Sequence, residues 1–191
     1  MTAKQVLFGC AVLWSIGPGL LWPVGTCAEE PTLTIRNLSA ASGKLYLIEP
    51  CGFIQGGKQY IDRDYLLEYV PEALKGRTLV QTAGNDKLID ENETCLSFEV
   101  NVPVTVYVVY SDKLRVLPGW LKEFQDTRWK VTRKDTNPST LKGIFTLLAK
   151  DFPAGKVTLY GNLSKAMAAD PEFVKLKGST FCMYSVVVAP R

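Results

Sequence analysis

The amino-acid sequence predicts an all-β protein, a sandwich of two antiparallel sheets with one or two short helical turns. Short runs rich in β-branched and aromatic residues recur along the chain at intervals of about ten residues. Glycine, proline and asparagine turn signals separate these runs, as at Ser42-Gly43 and Gly84-Asn85-Asp86. No later segment has a helical period long enough to build a helical layer.

The strands and turns follow from the same pattern, taken in chain order. Pro118–Asp126 places Trp120, Leu121 and Phe124 at helical spacing, which predicts a helical turn. Residues 163–175 are predicted to form an inserted loop with a turn of helix. The predicted strands are Thr32–Ile35, Lys44–Ile48, Tyr65–Val70, Thr78–Gln81, Cys95–Val100, Val104–Tyr110, Trp129–Thr132, Ile144–Ala149, Lys156–Tyr160 and Cys182–Ala189.

Composition narrows the function. The chain has 191 residues, 47% hydrophobic, with a net charge of +3. These values exclude a disordered chain and give no reason to expect a nucleic-acid partner. The sequence has no histidine, so the usual general base and the usual zinc ligand are missing. We therefore expect a protein that is not an enzyme, with a hydrolase as a low-ranking alternative.

Residues 1–28 are predicted to be a signal peptide. Lys4 precedes an apolar stretch, and Thr26-Cys27-Ala28 is a small-residue cleavage site. A membrane anchor is the weaker alternative because glycines and prolines interrupt the stretch, and acylation of Cys27 as a lipoprotein ranks below cleavage. We expect an exported protein, periplasmic or extracellular, without a transmembrane segment in the mature chain. Residues 29–54 would add extension strands to a sandwich domain at residues 55–191.

Three cysteines remain after such cleavage, namely Cys51, Cys95 and Cys182. An oxidising compartment would allow them one disulfide. Cys51 lies in a Pro50-Cys51-Gly52 turn and is the most accessible candidate, whereas Cys95 and Cys182 open strand-like runs and suit core positions. The sequence does not determine which two of the three cysteines would form the disulfide.

A series of spaced motifs over about residues 55–190 resembles a β-sandwich domain of exported bacterial proteins, often found at the ends of secreted hydrolases. The motifs that carry this resemblance are Tyr60–Tyr65, Val70–Gly76, Gln81–Lys87, Leu96–Val100, Val104–Tyr110, Leu117–Leu121, Phe152–Leu159 and Met183–Val188.

This resemblance implies a galactose-binding-like jelly roll, a fold that mostly holds carbohydrate, protein or a cell surface. The expected function is a non-catalytic exported binding or interaction module, with a glycan or an envelope protein as its partner. The alternative is a structural accessory or assembly subunit of a larger periplasmic or envelope complex.

Ligand-binding candidates come from exposed rings and from one charged motif. Trp120 and Trp129 are candidates for stacking on a sugar face. The alternative for Trp120 is a plug at one end of the sandwich, and for Trp129 a core-facing strand position. Asp62 and Arg63 are candidates for a polar ligand, against the alternative of a fixed salt bridge.

No cofactor is expected apart from a possible structural calcium ion. Asp86, Asp90 and Glu91 follow a Gly84-Asn85 turn, and carboxylates in a flexible loop suit this cation. The alternative is a solvated acidic turn in which Asp86 caps the backbone.

Overall fold

The computed structural model describes residues 32–134, 143–175 and 181–191. The chain divides into two units, Met1–Glu30 and Pro31–Arg191. All strands and helices given below belong to the second unit. The predicted signal segment, residues 1–28 with Cys27, lies outside the described residues.

The described residues form two sheets in which each strand pairs antiparallel with its neighbours. The smaller sheet has the order β1-β5-β9, and the larger has the order β2-β4-β10-β6-β8-β7-β3. The strands are β1 Ile35–Ala40, β2 Leu47–Phe53, β3 Leu66–Tyr69, β4 Arg77–Gln81, β5 Thr94–Val100, β6 Val104–Ser111, β7 Gln125–Lys134, β8 Gly143–Phe152, β9 Gly155–Tyr160 and β10 Ser185–Pro190.

Helical structure within the described residues is confined to short segments. Three 3-10 turns cover Glu72–Leu74, Gly84–Leu88 and Gly119–Glu123, and two α-helices, α1 and α2, cover Lys165–Ala168 and Pro171–Lys175. None of the described helices has the length and hydropathy needed to cross a bilayer. The predicted two-sheet antiparallel sandwich with short helical turns is therefore confirmed.

The larger sheet is apolar on both faces, and β6 shows how. Its side chains alternate, so Val106 and Val108 join the main core with residues of the smaller sheet such as Leu96 and Phe98. Val109 points the other way into a second cluster, which includes Leu147 and Val187 of the neighbouring strands. We call the face that carries this second cluster the outer face.

The first two strands lie further along the chain than predicted. The expected run Thr32–Ile35 gives way to β1 at Ile35–Ala40, whose pairing with β5 slips between Arg36 and Ser39. Asn37 takes a left-handed φ of 52° at this slip, a conformation that one type of β-bulge uses. The start of β1 is therefore determined by its long-range pairing with β5. Local composition does not determine it.

Candidate functional site

A groove of about 470 Å³ opens on the outer face of the larger sheet, where β6, β8 and the start of β7 lie side by side. Tyr107 packs against the second apolar cluster. In register across the sheet, Tyr107 pairs with Ala149, and Ala149 pairs with Gln125. The small side chain of Ala149 leaves space between its larger neighbours. The lining residues are Thr105, Tyr107, Glu123, Gln125, Thr127, Trp129, Ala149, Lys150 and Asp151.

Two aromatic rings form one wall of the groove. The ring planes of Tyr107 and Trp129 are 20° apart, with their centroids separated by 6.2 Å, which is an offset stack. Trp129 retains 38% of its surface exposed. It is thus not the core-facing residue that one interpretation of the sequence expected.

A bulge in β7 places Trp129 in this position. The pairing of β7 with β8 shifts register between Asp126 and Lys130, and Arg128 has a φ of 61°. The backbone N–H of Arg128 donates to Asp126 Oδ1 at 2.7 Å. Thr127 Oγ1 donates to the carbonyl of Leu147 at 2.8 Å and accepts from the N–H of Trp129 at 3.1 Å. Thr127 therefore ties the tryptophan backbone to β8.

The polar groups of the groove are held in place by neighbours. Thr105 Oγ1 donates to Asp151 Oδ1 at 2.7 Å, and Arg191 lies 3.3 Å from Asp151 Oδ2. Lys150 Nζ lies 2.6 Å from Glu123 Oε2. Burial and the nearby carboxylate of Asp151 raise the pKa of Tyr107, so its phenol stays neutral.

Trp120 lies outside the lining of this groove. Its indole nitrogen donates to the carbonyl of Gly161 at 2.9 Å. Its ring contacts Phe124, Tyr160 and Tyr184 at centroid distances of 5.5, 6.2 and 5.6 Å. This is the geometry of the predicted alternative, a plug at one end of the sandwich.

Asp62 and Arg63 form an ion pair that fixes a neighbouring turn. Asp62 accepts from the N–H groups of Gly84 and Asn85 at 2.8 and 3.0 Å, and Arg63 Nε lies 3.2 Å from Asp62 Oδ1. Burial opposes ionisation of Asp62, but Arg63 and the two N–H groups outweigh it and lower the carboxyl pKa. A Cβ at Gly84 would lie 2.6 Å from Arg63 Nε, so a side chain there would push the guanidinium away from its present position. The pair occupies its own hydrogen-bonding groups, as the salt-bridge alternative predicts.

The three carboxylates considered for calcium face different partners. Asp86 is buried and accepts from Ser42 Oγ and Tyr46 OH, each at 2.6 Å, and from Lys44 Nζ. Asp90 Oδ1 accepts from the N–H of Asn92, and Glu91 Oε2 from that of Gly119. Within residues 32–134, 143–175 and 181–191, no group of three acidic or thiol side chains is placed to hold a metal ion. The structure thus uses these carboxylates separately: Asp86 and Glu91 accept from residues distant in the chain, and Asp90 accepts from Asn92 two residues away.

The three cysteines of the second unit are free thiols, with Cys51 exposed and Cys95 and Cys182 buried. The bridge considered from the sequence is thus not formed in the structure. The Cys182 sulfur accepts N–H groups from Arg63 at 3.4 Å and from Arg133 at 3.5 Å. Burial raises the pKa of Cys95 to about 11, so this thiol stays protonated.

Sequence reasoning missed most of the groove. Tyr107 stood inside an apolar run, and Asp151 followed one, so neither carried a local signal. The bulge, in contrast, had a local sequence signal. Asp126 and Thr127 are turn-forming residues shortly before Trp129, and such residues within a strand indicate a bulge.

Comparison with known proteins finds similar folds among solved structures. No protein-family model matches the chain, and no curated protein matches its sequence. A solved β-glucuronidase from glycoside hydrolase family 2 is similar in structure, with a TM-score of 0.64 and 20% sequence identity over 81% of this chain. The match covers 14% of the glucuronidase chain. A GH138 enzyme targeting pectin rhamnogalacturonan II matches at a TM-score of 0.45 and 16% identity, over 71% of this chain and 16% of its own. The first match supports the β-sandwich fold, and a fold alone does not identify a ligand.

Proposed function

We propose that this protein is an exported, non-catalytic carbohydrate-binding module of the galactose-binding-like type, which holds a glycan against Trp129. The observation that carries the proposal is the partly exposed Trp129 ring, stacked on Tyr107 and bordered by hydroxyl, amide and carboxylate groups. An aromatic face buries the C–H face of a sugar, while polar neighbours bind its hydroxyls. The structural neighbour belongs to a glycoside hydrolase family, which supports this ligand class by analogy.

The groove chemistry favours binding over catalysis. Glycoside hydrolysis by paired carboxylates needs one acid with a raised pKa. The hydrogen bond from Lys150 instead lowers the pKa of Glu123. Asp151 is engaged by Thr105 and Arg191. Glu123 is therefore not prepared to donate a proton, and Asp151 is held by its hydrogen bond and its ion pair.

Retention on polysaccharides tests the proposal. The chain and two variants, Trp129→Ala and Tyr69→Ala, are run through gels that contain xylan, β-glucan, mannan, galactan or polygalacturonate. Tyr69 is a matched control because it is an aromatic residue 55% exposed on β3, outside the groove lining. We expect the wild type and Tyr69→Ala to be retarded by at least one polysaccharide and Trp129→Ala by none. Equal mobility of all three proteins in every gel would contradict the proposal.

An accessory subunit of an envelope complex is the second candidate. Two exposed leucines favour it: Leu45, 86% exposed, lies just before β2, and Leu47, 46% exposed, begins β2 on the edge of the larger sheet. Exposed sheet edges with apolar side chains are sites where another protein chain can pair. Under this hypothesis the protein purifies from its host in a defined complex that Leu47→Lys dissociates. A free monomer under native conditions would contradict it.

A further inference from the structure

We infer that the groove binds a neutral glycan and discriminates against uronic-acid sugars, an inference that rests on the proposed carbohydrate-binding function. The inference is based on the charged side chains around Trp129. The charged residues in the described lining are Glu123, Lys150 and Asp151. Each has an opposite charge within ion-pair distance: Lys150 pairs with Glu123, and Asp151 pairs with Arg191.

An acidic sugar needs a cation for its carboxylate, and the lysine of the groove is already engaged. Lys150 Nζ lies 2.6 Å from Glu123 Oε2 and 5.7 Å from the ring centroids of both Phe124 and Phe152. Side chains alternate along β8, and Lys150 pairs with Val106 of the main core, so its side chain leaves the strand on the face opposite to that of Asp151. A sugar carboxylate in the groove would therefore lie near Asp151, and it would have to displace Glu123 to reach the ammonium. Repulsion between like charges discriminates against such a ligand.

Neutral hydroxyl groups meet no such obstacle. Thr105, Gln125 and Thr127 line the groove with uncharged polar groups. The Asp151 carboxylate has about four acceptor sites by its chemistry, so it can accept from sugar hydroxyls besides Thr105 and Arg191. A neutral sugar in the groove would thus meet an apolar ring surface, uncharged polar groups and one carboxylate that can accept several hydrogen bonds.

Arg77 is the residue that could reverse this conclusion. It lies on β4 outside the groove lining, yet its charge acts on Tyr107, where it opposes the effects of burial and of Asp151 on the phenol pKa. If the ligand were a uronic acid, Arg77 and Arg191, which already pairs with Asp151, would be the cations available to hold it. The inference therefore requires that Arg77→Gln leave glycan binding unchanged.

Chemical reduction of the carboxyl groups of an acidic polysaccharide tests whether those groups alone prevent binding. Polygalacturonate, alginate and hyaluronan are each compared with their carboxyl-reduced forms, alongside neutral xylan, β-glucan, mannan and galactan. We expect retention on neutral chains only, unchanged from low to high salt because no ion pair with the ligand is screened. Glu123→Gln leaves Lys150 without its acidic partner. Its affinity for an acidic chain, measured by titration, should rise roughly two- to fivefold above the weak wild-type affinity, the value of one exposed ion pair.

The outcomes separate the two hypotheses. Retention of an acidic chain that is lost on carboxyl reduction or in Arg77→Gln, yet still depends on Trp129, would overturn the inference and leave the proposed function intact. An unchanged Glu123→Gln variant would also overturn it, because the ion pair would then not set the selectivity. Retention on none of the chains would remove the proposed function and this inference with it.

Discussion

Trp120 and Trp129 show how differently two tryptophans can be used in one sandwich. Trp120 follows Pro118 in a 3-10 turn and packs against three aromatic rings at the end of the sheets. Trp129 lies on a bulged strand, keeps 38% of its surface exposed and stacks on Tyr107. Ring packing and the indole hydrogen bond to Gly161 hold the first. Backbone N–H groups that donate to Asp126 and Thr127, together with the Thr127 bond to Leu147, hold the chain around the second.

The end of the sandwich around Trp120 also contains a buried polar chain. The Trp120 ring contacts Tyr184 at 5.6 Å, and the Tyr184 phenol interacts with Cys95. The Cys95 sulfur lies 3.8 Å from Tyr46 OH, which donates to Asp86. The region around Trp120 should therefore govern stability, and the bulge around Trp129 should govern binding.

The largest expected effect is the loss of the Trp120 ring. Trp120→Ala removes contacts with Phe124, Tyr160 and Tyr184 and leaves the Gly161 carbonyl without its indole donor. We expect it to lower the free energy of unfolding by about 3 kcal/mol, whereas Trp129→Ala should lower it by less than about 1 kcal/mol. Urea unfolding of both variants measures the difference. Equal losses would show that the two tryptophans do not differ in structural role.

Asp86 should make the same region sensitive to acid. Burial opposes its ionisation, but hydrogen bonds from Lys44, Ser42 and Tyr46 outweigh burial and hold its pKa below the ordinary value of 3.8. A lowered folded pKa stabilises the protein above the unfolded value, and this contribution is lost as pH falls through the folded pKa. Asp86→Asn should cost about 2 kcal/mol near neutral pH and flatten the loss of stability below about pH 4. Urea unfolding across this pH range checks both effects, and an unchanged acid dependence in the variant would contradict them.

Thr127 should affect binding more than stability. Thr127→Val removes the bonds to the Leu147 carbonyl and the Trp129 N–H while keeping the shape of the side chain. We expect glycan affinity to fall about tenfold, with a loss of stability of about 1 kcal/mol. Thr127→Ser restores the hydroxyl and should restore affinity. Isothermal titration with the retained polysaccharide compares the three proteins, and undiminished affinity in Thr127→Val would show that the bulge does not position Trp129.

The smallest expected effect concerns the strain at Arg128. Its φ of 61° is unfavourable for a residue with a Cβ, so Arg128→Gly should raise the free energy of unfolding by about 0.5 kcal/mol. Arg128→Ala is the control, since it removes the guanidinium and keeps the Cβ. A gain in both variants would assign the effect to charge instead of backbone conformation. Thermal unfolding of Arg128→Gly and Arg128→Ala measures the stability change in each variant.

The sandwich was predictable from the sequence, whereas the groove was not. Alternation in Val104–Tyr110 and the apolar run ending at Ala189 locate β6 and β10 because each strand carries its own pattern. The groove depends instead on register between distant strands, which brings Tyr107 beside Ala149 and Ala149 beside Gln125. No local pattern encodes that register.

Asp86 shows the same limit for a single residue. In the sequence it stands in an acidic, turn-forming segment that suits a solvated loop or a cation. The fold brings Ser42, Lys44 and Tyr46 onto its carboxylate from about forty residues away and buries it. Trp120, by contrast, was predictable as a plug because Pro118 and Gly119 define its turn locally.

The central claim is that Trp129, and not Trp120, meets the ligand. The most direct test is an NMR titration of tryptophan-labelled protein with the retained polysaccharide, with the indole N–H signals assigned by Trp129→Phe and Trp120→Phe. We predict that the Trp129 indole signal shifts with increasing polysaccharide, and that the Trp120 signal, whose N–H donates to Gly161, stays in place. A shift of the Trp120 signal with an unmoved Trp129 signal would contradict the assignment of the groove as the binding site.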